Sequence, residues 1–486
     1  MKRLFFASLA AAFLFAAGTA QAVDVKVKGS FNFVYVAHDG TDFIGDNGEK
    51  REQDGFFVKQ RVRTQVDFIA SEYVKGVVQF EIGDIFWGRG GTEGPGSGGA
   101  LDSDGVNVET KHAYLDFLVP NTELSVRMGL QYLPLPMGTG YTNPVFSADV
   151  AGIVTSYKFN EMFGLTAFWA RPFDRYDNDD KHGGVRSLDD EVDMFGLVAP
   201  VTGDGWSVTP WFVYANVGSA SGMYEYIAGY RGRMQHYTGY NALSYEDNDR
   251  ASAWWLGGAF SMNMLDPLVF GLDVMYGDLG RNTFGLRNAK TGAVGPVSDI
   301  ETQGWFITAK LDYKLDWAVP GIFGWWSSGD DAKDAADGKF GRIPTVGMDD
   351  GFSPTSFGLS GNYLYGYDAV ISSTGAGTWG VGLQVADLSF VQDLSHLLRV
   401  AYYKGTNDHE MVGNALIVPL SGEKVYMTDK DSAWEVNFDH FYKVYPNLTV
   451  YLELGYINLD MDEDVWGKDT YGDDAFRGQL GFVYSF

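Results

Sequence analysis

The chain has 486 residues, 36 basic and 63 acidic, with 75 aromatic side chains, 62 glycines and no cysteine. A formal charge of −27 argues against nucleic acid as a partner, because its phosphates would be repelled. The missing cysteine excludes a disulfide scaffold, a thiol nucleophile and thiolate metal sites, and so much glycine and aromatic residue with only 20% charge is foreign to disordered or coiled-coil chains.

The first element reads as a cleaved export signal over residues 1–22. Lys2 and Arg3 precede an apolar run over residues 4–17 that only Ser8 interrupts, and Ala20-Gln21-Ala22 forms a small-x-small cleavage site. The run is too short to span about 30 Å of hydrocarbon. Its removal leaves residues 23–486, with 34 basic against 63 acidic groups, as a single domain. No later stretch of 18 apolar residues offers a spanning helix.

From Val25 onward the dominant period is two. Val25, Val27, Phe31, Phe33 and Tyr35 alternate with Lys26, Lys28, Ser30 and Asn32, which puts aromatic and branched side chains on one face of a strand. Val62, Val66 and Phe68 repeat the pattern, as do Leu124, Val126 and Met128, then Trp434, Val436 and Phe438, then Leu448, Val450 and Leu452. A soluble sandwich would also alternate. Loop asymmetry separates the two readings. Short turns such as Ser71-Glu72 and Pro120-Asn121 take turns with long, acidic, glycine-rich connections over residues 86–105, 173–190, 218–250 and 328–374. Short on one side and long on the other is the layout of an outer-membrane barrel.

By that rule strands are expected near 25–37, 56–70, 73–84, 106–119, 122–132, 151–159, 164–172, 191–200, 205–217, 251–262, 267–277, 302–314, 319–328, 376–390, 395–405, 431–443, 447–459 and 475–486. The expected fold is therefore all-β: a transmembrane antiparallel up-and-down barrel of about 18 strands, or 16 if the weak runs at 191–200 and 319–328 are lost. Both chain ends then fall on the periplasmic side. Phe476, Leu480, Phe482, Tyr484 and Phe486 share one face of the last run, and Phe482, Tyr484 and Phe486 read as the signal for the barrel-assembly machinery. Closure is also required physically, since an open sheet edge in lipid would leave backbone groups without partners.

The start Val23-Asp24-Val25-Lys26-Val27-Lys28-Gly29-Ser30-Phe31, the stretch Leu133-Pro134-Leu135-Pro136 leading to Asn143-Pro144-Val145-Phe146, and the terminal Tyr484-Ser485-Phe486 resemble the homotrimeric major porins of Desulfovibrio-type sulfate-reducing bacteria. That resemblance implies a homotrimer of water-filled barrels in the bacterial outer membrane, passing small hydrophilic solutes and ions by diffusion. A solute-selective porin for a sugar or an oxyanion is the alternative within the same architecture. An outer-membrane barrel enzyme or an adhesin is weaker, because no Ser/His/Asp constellation stands out and eighteen strands are wide enough for an aqueous channel.

General porins fold the third external loop inward, which here is residues 134–150, with Pro134, Pro136, Tyr141, Asn143 and Asp149 as the expected constriction residues. Asp149 is the loop's only acidic group. Strand parity turns Lys59, Arg61, Arg63, Lys75 and Arg127 into the lumen, with Lys26 and Lys28 near the periplasmic mouth. These residues either form a basic wall whose field, facing an acidic loop, sets ion preference, or they merely solvate the lumen or pair locally with Asp67 and Glu81. No cofactor is expected. The seven histidines show no metal-cage spacing. The acidic runs 177–180 and 460–464 lack the glycine of a calcium loop and read as solvated loop acids, with cation bridging to lipopolysaccharide as a further option.

Overall fold

Strand formation follows the period-two pattern. Along Ser432–Tyr445, Trp434 and Phe438 are 54% and 39% exposed while Glu435 and Asn437 are 1% and 0% exposed. The apolar face thus points away from the barrel and the polar face into it, the reverse of a soluble protein and the arrangement that lipid requires. The computed structural model describes residues 23–41, 43, 55–90, 97–102, 108–174, 191–218, 240–245, 250–288, 294–348, 351–359, 361, 369–413, 425–468 and 471–486.

Eighteen long strands form the wall, in chain order: β1 (Asp24–Asp39), β2 (Gly55–Ser71), β3 (Val74–Phe86), β4 (Val108–Leu118), β5 (Leu124–Pro134), β6 (Phe146–Lys158), β7 (Gly164–Asp174), β8 (Glu191–Val198), β9 (Trp206–Val217), β10 (Ala251–Met262), β11 (Leu268–Asn288), β12 (Val294–Tyr313), β13 (Val319–Ser327), β14 (Thr378–Val391), β15 (Leu394–Gly405), β16 (Ser432–Tyr445), β17 (Leu448–Asp460) and β18 (Asp474–Ser485). Each pairs antiparallel with the next, and β18 pairs with β1 through Phe33↔Phe482 and Phe31↔Tyr484 to close the sheet. Four short segments, Val201–Gly203, Tyr240–Tyr245, Lys339–Phe340 and Gly347–Met348, attach to the same sheet.

All eighteen expected strands are present, including the two weak ones. Three are longer than the sequence suggests. β6 begins at Phe146 rather than residue 151, and β11 and β12 run on to Asn288 and back from Val294 as one paired hairpin. The short turns lie at one end. Two-residue turns join Ser71 to Val74, Val391 to Leu394 and Tyr445 to Leu448. Asn121 and Asp393 take positive φ angles of 61° in their turns, a conformation that short polar side chains tolerate.

Two aromatic girdles mark the lipid boundaries. Toward the long loops, Trp254, Tyr276 and Trp305 touch in sequence around the outside, as do Trp379, Tyr402 and Trp434. Toward the turns, Tyr157 packs on Phe159, Trp317 stacks on Phe390, and Phe31, Tyr484 and Phe486 cluster. No helix among the described residues is long and apolar enough to cross a membrane.

Candidate functional site

Two external connections turn into the lumen. The first is the third, between β5 and β6. β4 last pairs with β5 at Ala113↔Leu130, and β7 last pairs with β6 at Arg171↔Ala151, yet β5 and β6 stay paired as far as Pro134↔Ser147. Their common tip therefore leaves the wall as a hairpin and crosses the barrel. At its end Asn143 accepts from the Val145 N–H at 2.9 Å and donates to the Pro136 carbonyl at 3.3 Å, closing the turn that Pro134 and Pro136 stiffen. The Gly138 N–H then reaches Asp273 on β11 at 2.6 Å, and the Thr139 hydroxyl meets the same carboxylate at 2.6 Å. Glycine is needed on both sides of this approach: a Cβ on Gly138 would sit 2.1 Å from the Phe260 carbonyl, and one on Gly271 would sit 2.6 Å from the Gly138 carbonyl.

The other expected loop residues take distinct places. Tyr141 packs edge-on against Phe323 and Phe352, and burial pushes its hydroxyl well above the usual tyrosine range. Asp149 lies at the hairpin's base, where Lys111 and His112, the latter at 2.8 Å, donate to it.

The second infolded segment is made by the described residues between β13 and β14 (328–348, 351–359, 361 and 369–377), a stretch that sequence reasoning read only as a long loop. Gly347–Met348 runs parallel to Phe146–Ser147, and the Pro344 carbonyl accepts from the Trp255 indole at 2.8 Å. Phe352 lies edge-on to Phe306, Trp325 and Tyr141. Deeper in, the Ser356 N–H donates to Asn437 and the Phe357 N–H to Glu435, both at 3.0 Å, while Arg477 donates to the Ser356 carbonyl. These segments cover a largely apolar inner wall of Ala170, Val192, Met194, Val213, Ala253 and Trp255 on β7–β10, and together they bury one continuous apolar cluster. Instead of a wholly open bore, that side of the lumen is packed.

The β2–β5 wall is polar. Parity places Lys59, Arg61, Arg63, Lys75 and Arg127 on its inner side, with Arg61, Arg63, Lys75 and Arg127 in ion pairs. Arg61 grips both oxygens of Asp84 at 3.0 and 3.1 Å; Arg63 binds Glu81 at 2.6 Å. Lys75 and Arg127 share Asp116 at 3.6 and 2.9 Å, with the Arg127 guanidinium 4.7 Å from the Tyr114 ring centre. The Lys59 ammonium is 5.9 and 5.6 Å from the ring centres of Phe57 and Phe86, and Lys28 is 3.8 Å from Asp67. Of the two local partners named from the sequence, Glu81 meets Arg63 and Asp67 meets Lys28, while Asp84 and Asp116 were not among them. The pairs differ in access: the Arg61 side chain is 7% exposed, against 40% for Arg127 and 43% for Lys75.

Sequence reasoning missed a second set of inward charges on β15–β18: Arg399, Glu435, Asp439, Glu453 and Arg477, all buried. The strand alternation on β16 and β17 was the available signal, since Glu435 and Asp439 lie on the polar face opposite Trp434 and Phe438. Phe482 and Tyr484 face outward from β18, and Phe486 exchanges two backbone hydrogen bonds with Gly29 at 2.9 and 3.0 Å. In the acidic run 460–464, Asp462 caps a short helix by accepting from the Asp464 and Val465 N–H groups. The run 177–180 lies outside the described residues. Near that cap, burial raises the Asp431 carboxyl above the ordinary range despite donors from Thr428 and Trp466.

No protein-family model matches this sequence, and no curated protein does either. Solved structures do share the fold. Pseudomonas aeruginosa OpdK, solved with vanillate, has a TM-score of 0.50 and 10% identity, covering 95% of this chain and 98% of its own. Pseudomonas aeruginosa OpdQ and Acinetobacter baumannii OccAB2 each have a TM-score of 0.50 and 11% identity over the same shares. At such identities the likeness establishes the fold: a closed 18-strand antiparallel barrel like those of outer-membrane porins.

Proposed function

We propose that this chain is an outer-membrane porin, a channel through which small hydrophilic solutes and ions diffuse. The observation that carries the proposal is the inverted barrel itself: apolar outside between two aromatic girdles, charged inside, and narrowed by two segments that leave Arg63, Lys75 and Arg127 of the β2–β5 wall partly exposed. A soluble receptor or a structural barrel would have no use for a lipid-facing exterior around a charged bore. The reading places the protein in the outer membrane after export and removal of residues 1–22.

The passage in this reading runs off-axis, beside β2–β5, with Arg63, Glu81, Arg127 and Asp116 along one side and the β5–β6 hairpin along the other. Because each cation there has a carboxylate within reach, the field runs along the wall between neighbours rather than across the passage from a basic wall to an acidic loop, so ion preference should be weak. The sequence resemblance to trimeric major porins supports a homotrimer, and apolar outer faces on β1 and β18 are suited to subunit contact. Lipopolysaccharide and the barrel-assembly machinery are the further partners of a protein placed this way.

Purified protein in a planar lipid bilayer tests the proposal, with liposome swelling in sugars of graded size beside it. Stepwise ohmic current and unsaturated swelling rates that fall with solute size are expected. Swelling that saturates for one sugar or oxyanion would make the channel solute-selective. The absence of any current above the lipid background would remove the porin reading.

A further inference from the structure

His396 and His440 lie 44 residues apart in sequence, but the register of β15 and β16 makes them directly opposed cross-strand partners. Their side chains are on the outer face of the barrel. On β16 the residues of the same parity as His440 are Trp434, Val436 and Phe438, all exposed, whereas Glu435, Asn437 and Asp439 face inward and are buried. The position is close to the periplasmic end, because His396 is the third residue of β15 after the tight turn from Val391 to Leu394.

The two Nδ1 atoms approach to 2.6 Å and the rings stand at 85° to each other. Phe438 fixes them from one side, with its ring centre 4.2 Å from that of His440 and 6.0 Å from that of His396. The flanking cross-strand partners are Leu388 beside His396 and Leu452 beside His440, so the next strand on each side sets no carboxylate opposite the pair. A charged side chain on a lipid-facing surface is costly. Two neutral imidazoles sharing one proton satisfy each other, and neutral imidazole is also the form that binds metals.

We propose that His396 and His440 form a bidentate site for a divalent transition-metal ion of the copper, nickel or zinc class. Two nitrogens each about 2.0–2.1 Å from one ion are about 2.8–3.0 Å apart in square and about 3.3–3.4 Å apart in tetrahedral geometry, so the nitrogens need to part by about 0.2–0.8 Å. Both Nδ1 lone pairs then point at the ion and each ring carries its proton on Nε2. The ring that now donates through Nδ1 changes tautomer, and the neutral pair releases no net proton. With imidazole as the only protein ligand, calcium and magnesium are disfavoured, and Cu2+ should bind most tightly of the first-row ions. Water reaching the site from the periplasmic side completes the coordination.

The test is titration of the full chain in detergent micelles with Cu2+, followed by calorimetry and by the nitrogen hyperfine splitting of the Cu2+ paramagnetic resonance. One saturable ion per chain, split by two imidazole nitrogens, is expected. His396→Phe and His440→Phe should each weaken binding by roughly tenfold or more, while His409→Ala, in the external Asp408/His409/Asp429 group, should leave this site unchanged. Both Phe variants keep the outer face apolar, and heat-modifiable gel mobility reports whether they fold. A wild-type spectrum without two-nitrogen splitting would overturn the proposal with no variant needed, and so would undiminished binding in the folded double variant.

Discussion

The carboxylate of Asp273 holds the tip of the β5–β6 hairpin through Thr139, 134 residues earlier in the chain, accepting from its hydroxyl at 2.6 Å and its N–H at 3.1 Å. Asp273 is 1% exposed, so Asp273→Ala would leave buried donors unmatched, at about 1–3 kcal/mol for each such group. The barrel wall has its own ladder of hydrogen bonds and should survive. The expected result is a larger and noisier single-channel conductance with little change in melting temperature. A conductance equal to the parent's would mean that this anchor does not set the width of the passage.

Arg61, Arg63 and Arg127 balance Glu81, Asp84 and Asp116. Replacing all three with Gln removes three positive charges and leaves Lys75 as the cation beside Asp116, so the reversal potential in a salt gradient should move toward cation preference. At 1 M salt the Debye length falls to about 3 Å and the shift should shrink. The parent's reversal potential at low salt in the triple variant would show that ions pass elsewhere.

Period-two alternation together with the alternation of short and long connections made all eighteen strands legible, the first being the mark of lipid on one side and a polar lumen on the other. That alternation fades where those two surroundings stop alternating. β11 runs on to Asn288, although the sequence past residue 277 reads as loop. Phe146 and Val150 of β6 are both buried because the hairpin bends into the lumen, and Asn143-Pro144 ahead of them hides the strand start. The infolded 328–377 segment could not be read at all. Phe352, Phe357 and Leu359 follow no period, and the groups that receive this segment, Glu435 and Arg477, are 78 and 121 residues from their partners. Inward parity did identify the charged residues of β2–β5, but parity alone gives no side-chain partners. Only the register shows that Arg63 meets Glu81 and that Lys75 and Arg127 converge on Asp116.

Asn437 and Glu435 receive the N–H groups of Ser356 and Phe357. Asn437→Ala together with Glu435→Ala should loosen the deep end of the 328–377 segment. Faster protease cleavage within that segment, with intact barrel mobility on a gel, is the expected outcome. Unchanged cleavage would show that the apolar contacts of Phe352 and Phe357 suffice to hold it.

Phe31 and Tyr484 are 37% and 40% exposed on adjoining outer faces of β1 and β18. If this face joins subunits, the protein in mild detergent should have the mass of a trimer under cyclic symmetry. Phe31→Ser with Tyr484→Ser should then release folded monomers. A parent that is already monomeric would remove the trimer and leave the barrel untouched.

Because the chain has no cysteine, single introduced thiols can locate the passage directly. Gln65 and Gln79 are opposed inward residues of β2 and β3 on the polar wall, while Ala215 and Ala253 are fully buried beneath the infolded segments. In a bilayer carrying current, a small charged methanethiosulfonate reagent should react with Gln65→Cys and Gln79→Cys and reduce the conductance stepwise. It should leave Ala215→Cys and Ala253→Cys unmodified. Current that drops only in the alanine-site variants would put the water on the other side of the barrel and contradict the off-axis porin described above.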